Sequence, residues 1–258
     1  MTRALDTFRS VWAIRIYALI GFVLFWQLLG TIATKIEFAP PIPVIQRFIV
    51  LWENGTIPIN TLITLQTMAT GLAIASCIAI PLGLLMARTR YLEYAVDPYI
   101  TLLYAIPGIV LFPFIIIWLG ATFTASYVFV IIGPFFPVLI NTLQGVKNVN
   151  RSLVETGRVF GFNGISLWRK IVLPGSVPYI ITGLRLGVGA AILSALVSEL
   201  FIAPIGLGNL LNVYANDFDT TSVLSTVLMI MVLGYSITEI VKYFERRARM
   251  AVGAIGIR

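Results

Sequence analysis

The chain has 258 residues, of which 59% are hydrophobic and only 11% charged, and it carries a net charge of +7. A soluble domain of that size carries about a quarter charged residues, so the composition describes a polytopic membrane protein and excludes most globular classes. With no histidine and one cysteine, Cys77, it has no internal disulfide, no Cys/His zinc site of the usual kind and no histidine-based catalytic triad.

Apolar runs of about 20 residues cross a hydrocarbon core of about 30 Å as helices. The first covers about residues 16–34, flanked by Trp12, Tyr17 and Trp26, and reads as an uncleaved span. Residues 35–61 are mixed and rich in proline (Pro40, Pro41, Pro43, Pro58). Within them, Val44 to Trp52 has the apolar spacing of a helix lying along the membrane surface. Further spans are expected at about 62–87, 98–119, 123–143, 177–203 and 223–244, which makes six in an all-α fold with a single transmembrane domain over 1–258. Pro81 is expected to interrupt the second, Pro107 and Pro113 the third, and Pro134 and Pro137 the fourth. Broken backbone at membrane depth is tolerated inside a bundle or along a water-filled route. Spans two to five therefore read as a bundle around a pathway, with the first peripheral. Gly183, Gly187 and Ala191 recur every four residues in the fifth span, a pattern for close helix packing and a candidate dimer seam.

The charges set the topology. With the N-terminus inside, fifteen of the eighteen lysines and arginines fall on inner segments, only Lys35 and Arg47 fall outside, and Arg185 lies in the fifth span. Both termini are thus expected in the cytoplasm. The positive charge is a topology signal and not a nucleic-acid surface.

Between the fourth and fifth spans, residues 152–174 form a polar, basic interruption, SLVETGRVFGFNGISLWRKIVLP. Ser152 and Glu155 have the spacing of a capping box, which starts a helix running to about Phe160. Gly161 and Asn163-Gly164 supply an elbow. A second piece, Ser166 to Ile171, is expected to stop at Leu173-Pro174 because proline lacks the N–H of a continuing helix.

Three ionisable residues sit inside spans and are candidates for function by their cost in hydrocarbon: Arg185, Glu199 and Glu239. Arg185 and Glu239 both lie toward cytoplasmic helix ends, which suggests an ion pair. Glu199 follows a face carrying Ser194 and Ser198. These three read either as a pathway and gate, or as hydroxyls bonded to their own helix and a carboxylate satisfied by the Gly206–Asn209 turn. Thr61, Thr64, Thr67 and Thr70 form a second polar stripe, and Tyr104, ahead of Pro107-Gly108, is a further lining candidate.

Glu155-Thr156-Gly157, Gly161 three residues later, and Ile171-Val172-Leu173-Pro174 nine residues after that resemble the EAA loop of ABC-importer permeases. Thr156 and Gly157 stand where that pattern usually has two alanines. Gly71 with Pro81-Leu82-Gly83, and Glu199 followed by Gly206-Leu207-Gly208, resemble the nitrate/sulfonate/taurine/bicarbonate branch, and the likeness covers about residues 60–245. The resemblance implies a type I importer permease whose loop 152–174 is the coupling helix, with Glu155, Thr156, Gly157, Arg158, Gly161, Phe162, Leu173 and Pro174 meeting a separate ATPase. Within such a permease, the residues themselves offer Tyr104, Ser194, Ser198, Glu199 and Asn209 as candidates for the pathway or gate. The implied partners are two ABC ATPase subunits, a second permease subunit in a homodimer, and an extracytoplasmic solute-binding protein. The setting would be a prokaryotic inner membrane.

The chain has no GxxxxGK[ST] phosphate loop, so ATP and Mg are expected on the partner ATPases, with no cofactor or metal on this chain and no catalytic residue. Two alternatives stand beside the importer: an ion- or proton-coupled channel or carrier using Glu199 and Glu239, and an intramembrane enzyme. The outer halves of the spans carry no lysine or arginine, which favours a neutral or aromatic solute, or an anion passed by hydroxyls and amides.

Overall fold

In the computed structural model the described residues are 2–32 and 38–255, with side chains described for 13–32 and 38–247. Thr34, Lys35 and Arg258 lie outside the described residues, as do the side chains of Arg3, Arg9, Trp12 and Arg249. Among the described residues there is no strand. The helices are α1 (Thr2–Ile32), α2 (Pro41–Glu53), α3 (Thr56–Arg88), α4 (Arg90–Ala105), α5 (Gly108–Leu119), α6 (Phe123–Lys147), α7 (Arg151–Val159), α8 (Gly164–Leu167), α9 (Leu173–Phe201), α10 (Leu207–Asn216) and α11 (Thr220–Ile255). Five of them are long and apolar enough to cross a membrane, and α4 with α5 make a sixth crossing if that bent pair is one span.

The chain divides into two compact units, Met1–Ile59 with Leu210–Ile230, and Asn60–Asn209 with Met231–Arg258. In the first unit, α1 is tied to the start of α2: Trp26 Nε1 donates to the Ala39 carbonyl at 3.0 Å, and Gly30 lies against Pro40. Helix α2 starts on prolines in its first turn, where the missing N–H would have had no helical partner anyway. It buries Val44 and Leu51. Ser225 Oγ donates to the Val44 carbonyl at 2.8 Å, and Arg47 Nε donates to Ser222 Oγ at 2.7 Å.

The second unit is built on α3, α6 and α9. Met68, Val130, Val188, Ala191, Ile192 and Ala195 form one buried cluster, and Ala79, Met86, Val138, Leu139 and Leu143 are the centre of another. The approaches are set by glycine. A Cβ on Gly71 would stand within 3.0 Å of the Val130 carbonyl oxygen and 2.5 Å of its Cγ1, so α3 meets α6 backbone to backbone. One on Gly183 would stand 2.9 Å from Asn141 Cβ, and one on Gly187 2.9 Å from Val138 Cγ2. The Gly183–Gly187–Ala191 stripe is therefore spent on packing α9 against α6 inside the chain, and the dimer-seam reading is replaced by this internal seam.

Several expectations about proline are corrected. Pro81 lies inside an unbroken α3, and Pro134 and Pro137 inside an unbroken α6. The Val130 carbonyl, whose helical donor would be the N–H that Pro134 lacks, lies 3.0 Å from where a Cβ on Gly71 would stand, so it is covered by α3. Only Pro107 breaks its span. Ile106 is extended (φ −79°, ψ 123°), as a residue before proline prefers, and α4 and α5 meet at 100°. Pro113 stays within α5.

Replacing Gly71 with alanine should push α3 off α6 and destabilise the protein by about 1–3 kcal/mol, the usual cost of overpacking. Gly189→Ala, where a Cβ meets nothing within 4 Å, serves as the control. Thermal midpoints of the two purified variants in one detergent check this, and equal midpoints would mean the α3–α6 contact is looser than described.

Candidate functional site

The loop that joins α6 to α9 starts on Asn150, whose side chain accepts the Ser152 amide at 2.9 Å. Asn150 and not Ser152 is thus the cap of α7. Glu155 turns outward to Arg151, at 3.0 Å one turn back, which leaves the expected Ser152–Glu155 capping box unmade. Phe160 ends α7, and Gly161 follows at φ +83°, the elbow the glycine predicts. A capping box does form one step later, between Asn163 and Ser166.

The second half of the loop differs from expectation. Instead of stopping at Leu173-Pro174, α8 passes through a π-helical turn, Trp168–Val172, directly into α9. A π-turn takes up one extra residue and shifts the hydrogen-bond register. Pro174, which has no N–H to return to the Lys170 carbonyl, is thereby accommodated at the head of α9. Loop and fifth span are one continuous helical arm.

Helix α7 lies flat on that arm. Gly157 is buried, and a Cβ there would overlap Ile171 Cδ1 and reach Leu167 Cδ1 at 3.0 Å. Lys170 Nζ sits 4.6 Å above the Phe162 ring. Glu155, Thr156 and Arg158 are exposed, as is Leu173, while Pro174 is half-buried. The loop also exposes apolar side chains that the motif does not include: Val159 at 87%, Phe160 at 76%, Leu153 and Ile165. Charges interleaved with bare apolar groups suit a protein–protein contact. Their signal in the sequence was an apolar residue on the outer face of a charged helix.

A cavity of about 480 Å³ opens at the α4–α5 break. Tyr104, Pro107, Gly108, Phe129, Phe136 and Ser194 are among its lining residues. The Tyr104 and Phe136 rings stand 6.1 Å apart. Of the proposed pathway residues, the structure brings Tyr104 and Ser194 together here. Ser198 is fully buried and donates to the Ala195 carbonyl at 2.9 Å, so it is bonded to its own helix.

Glu199 is 2% exposed and belongs to a different constellation. Its Oε2 accepts from Thr64 Oγ1 at 2.8 Å and from the Gly208 amide at 3.0 Å. Thr64 Oγ1 in turn accepts the Leu207 amide at 3.0 Å, and Asn60 Oδ1 accepts the Gly206 amide at 2.7 Å. Asn209 Nδ2 donates to the Pro204 carbonyl at 2.9 Å, closing the same turn. The glycines follow from the carboxylate. Gly206 has φ +111°, and a Cβ there would overlap the Glu199 carboxyl carbon. A Cβ on Gly208 would stand 2.8 Å from the Glu199 Cβ. These are the contacts of the helix-end reading of Glu199. They place Ser198, Glu199 and Asn209 away from the larger cavity. Oε1 makes no protein hydrogen bond, and Glu199 also borders a cavity of about 150 Å³ with Gln66, Thr67, Ser126 and Tyr127. The threonine stripe is divided in the same way: Thr64 holds the turn, Thr67 lines this small cavity, and Thr70 bonds back to its own helix.

The expected Arg185–Glu239 pair is not formed. Arg185 Nη1 meets Glu245 at 2.8 Å, and Glu239 meets Lys242 at 2.7 Å on the same helix. Glu239 and Glu245 lie six residues apart on α11, which turns them to different faces at 3.6 residues per turn. The buried one of the two, Glu245, faces α9. Near the loop, Lys147 at the end of α6 pairs with Glu93 of α4. Among the described residues no group of acidic, cysteine or histidine side chains is arranged to hold a metal.

Residues 79–250 match the family model described as "Binding-protein-dependent transport system inner membrane component". The chain is 31% identical over 230 residues to an ABC transporter permease protein of Methanocaldococcus jannaschii, covering 86% of both chains. It is 31% identical over 228 residues to a protein of Escherichia coli K12 named as an aliphatic sulfonates transport permease, again over 86% of both. The fold is shared with a chain of the MetNI methionine ABC transporter in an inward-facing conformation, at a TM-score of 0.63 and 19% identity, over 72% of this chain and 92% of that one.

The Glu199 node makes a prediction. Glu199→Gln keeps an acceptor for Thr64 and Gly208, so assembly and activity should remain near wild type. Glu199→Ala leaves both donors buried without it, at about 1–3 kcal/mol each, and the folded yield should fall sharply. Size-exclusion profiles and thermal midpoints of the two variants check this. Equal loss in both would show that the charge itself is required.

Proposed function

The chain belongs to the family of binding-protein-dependent transport system inner membrane components, and from that membership we propose how it works in an ABC importer. It is a permease and not an enzyme, and neither the channel or carrier nor the intramembrane enzyme finds support among its relatives. Its sulfonate-permease relative agrees with the branch named by the Gly71, Pro81-Leu82-Gly83 and Glu199 motifs.

In this reading two copies of the chain pair with two ATPase subunits, which bind the ATP and Mg. An extracytoplasmic protein delivers a small solute. Both termini and the α6–α9 loop face the cytoplasm, in keeping with the distribution of lysine and arginine. Helix α7 docks on the ATPase through Val159, Phe160, Glu155 and Arg158. The observation that carries the proposal is the continuity of the arm: α8, the π-turn and α9 are one helical piece, with α7 packed on it through Gly157. A push on α7 is therefore delivered to the wall of the 480 Å³ cavity that Ser194 helps to form. Closure of the ATPases on ATP would move that wall and open the route outward, and release would return it.

Two measurements test this. In a variant with Cys77 replaced, a single cysteine in place of Asn163 should react with an impermeant thiol reagent only after the membrane is opened. Reaction in intact cells would reverse the orientation. Gly161→Val places a β-branched side chain at φ +83°, a strain of about 1–3 kcal/mol. No neighbour lies within 4 Å of a Cβ there, so any effect is on the elbow's backbone. The variant should lose ATPase binding or hydrolyse ATP without uptake, whereas Gly161→Asn, which tolerates positive φ better, should retain most transport. Full coupling in Gly161→Val would remove the elbow from the mechanism.

A further inference from the structure

The cavity at the α4–α5 break has a chemistry of its own. Its volume of about 480 Å³ lies within the usual range of small-molecule sites, about 300–1,000 Å³. No charged side chain is among its lining residues. Aromatic side chains at its wall are those of Tyr104, Phe136 and Phe129, and the one side-chain hydroxyl besides that of Tyr104 is on Ser194.

The polar groups that remain belong to the broken backbone. The last turn of α4 leaves carbonyls without intrahelical donors, and the first turn of α5 leaves the Gly108 and Ile109 amides without intrahelical acceptors. Pro107 adds no N–H, and its carbonyl accepts from Val110 at 2.9 Å. A helix C-terminus carries partial negative charge and a helix N-terminus partial positive charge. Here the two ends meet across two residues, so their fields largely offset. The site offers donors and acceptors side by side, with no net sign.

An oxyanion entering such a place would surrender its hydration to rings and opposed dipoles with no cation to replace it, a large cost. A flat uncharged ring system loses little water from its faces, stacks on aromatic side chains, and presents donors and acceptors at its edge to the broken backbone and Ser194. Gly108 keeps the floor open: a Cβ there would meet nothing within 4 Å, and its φ is not in the left-handed range. Its lack of a side chain serves no packing or turn within this chain.

Resting on the permease reading above, we infer that this cavity seats the cargo in transit, and that the cargo class is an uncharged heteroaromatic solute and not an oxyanion.

The test uses the purified permease–ATPase complex without the binding protein, so that any binding signal comes from the membrane part. The probe is lumiflavin, an uncharged fluorescent heteroaromatic, with ethanesulfonate as the anionic competitor. Lumiflavin fluorescence should be quenched saturably, and a thousandfold excess of ethanesulfonate should not reverse it. Gly108→Trp fills the floor and should weaken binding at least tenfold. Leu193→Trp, at an exposed lining position, is the second blocking variant if the first folds poorly. Ser194→Ala should weaken binding several-fold. Absence of saturable quenching, displacement by ethanesulfonate, or unchanged binding in well-folded blocking variants would each overturn the inference. ATPase co-purification and hydrolysis in the same samples report separately on the permease reading. If the ATPase fails to associate, that reading fails. If it associates while lumiflavin is not bound, only the cargo class does.

Discussion

The close seam between α6 and α9 is the constraint on which the rest of the second unit depends. Gly183 and Gly187 on one helix, and Gly133 and Gly145 on the other, sit where a Cβ would collide with the facing chain. In lipid no hydrophobic effect drives two apolar helices together, so association rests on packing and on close backbone approach. These glycines supply it. Because residues 148–172 connect these two helices, the same seam fixes both feet of that loop. It also sets Ser194 against Gly133 at the edge of the cavity. On α9 the Glu199 turn lies further along the same helix, so its height relative to α3, from which Thr64 reaches it, follows from the same packing.

The sequence carried the identities of these residues more plainly than their partners. The spacing of Glu155, Gly161 and Pro174 was enough to locate the loop, and the positive φ at Gly161 followed from its residue type. The cap was misplaced because Asn150 and Ser152 are both good N-cap residues two positions apart. A sequence cannot say which side chain reaches an amide first. The ion pair failed for a related reason: Glu239 and Glu245 both lie in the inner part of α11, and only the rotation of that helix decides which one meets Arg185. Glu199 shows the limit most clearly. A buried acid near polar residues fits a gate and a structural node equally well until the Gly206 and Gly208 backbone is seen folded around it.

Proline positions alone also say too little about where a span breaks. Each removes one helical hydrogen bond, yet only Pro107 breaks its span. The difference lies in what surrounds the lost bond. Pro134 sits in the tightest part of the bundle, where the orphaned Val130 carbonyl is covered by the Gly71 backbone. Pro174 sits beside a π-turn that shifts register to suit it. Ile106-Pro107 instead lines the cavity of about 480 Å³, and the span bends by 100° at that point. Break and cavity are one feature.

The departure from the usual alanine at position 157 has a mechanical meaning in this setting. An alanine there would overlap Ile171 Cδ1 and crowd Leu167 Cδ1, so those two side chains would have to shift, and glycine lets them pack directly under α7. In the coupling we propose, load applied at Val159 and Phe160 reaches the π-turn through this contact. Among the described residues the π-turn is the irregular stretch of the helical run from Gly164 to Phe201, a feature often found at functional sites. It lies between the part of the arm that α7 packs against and the long α9. Beyond it, the close contacts of Gly183 and Gly187 hold α9 to α6.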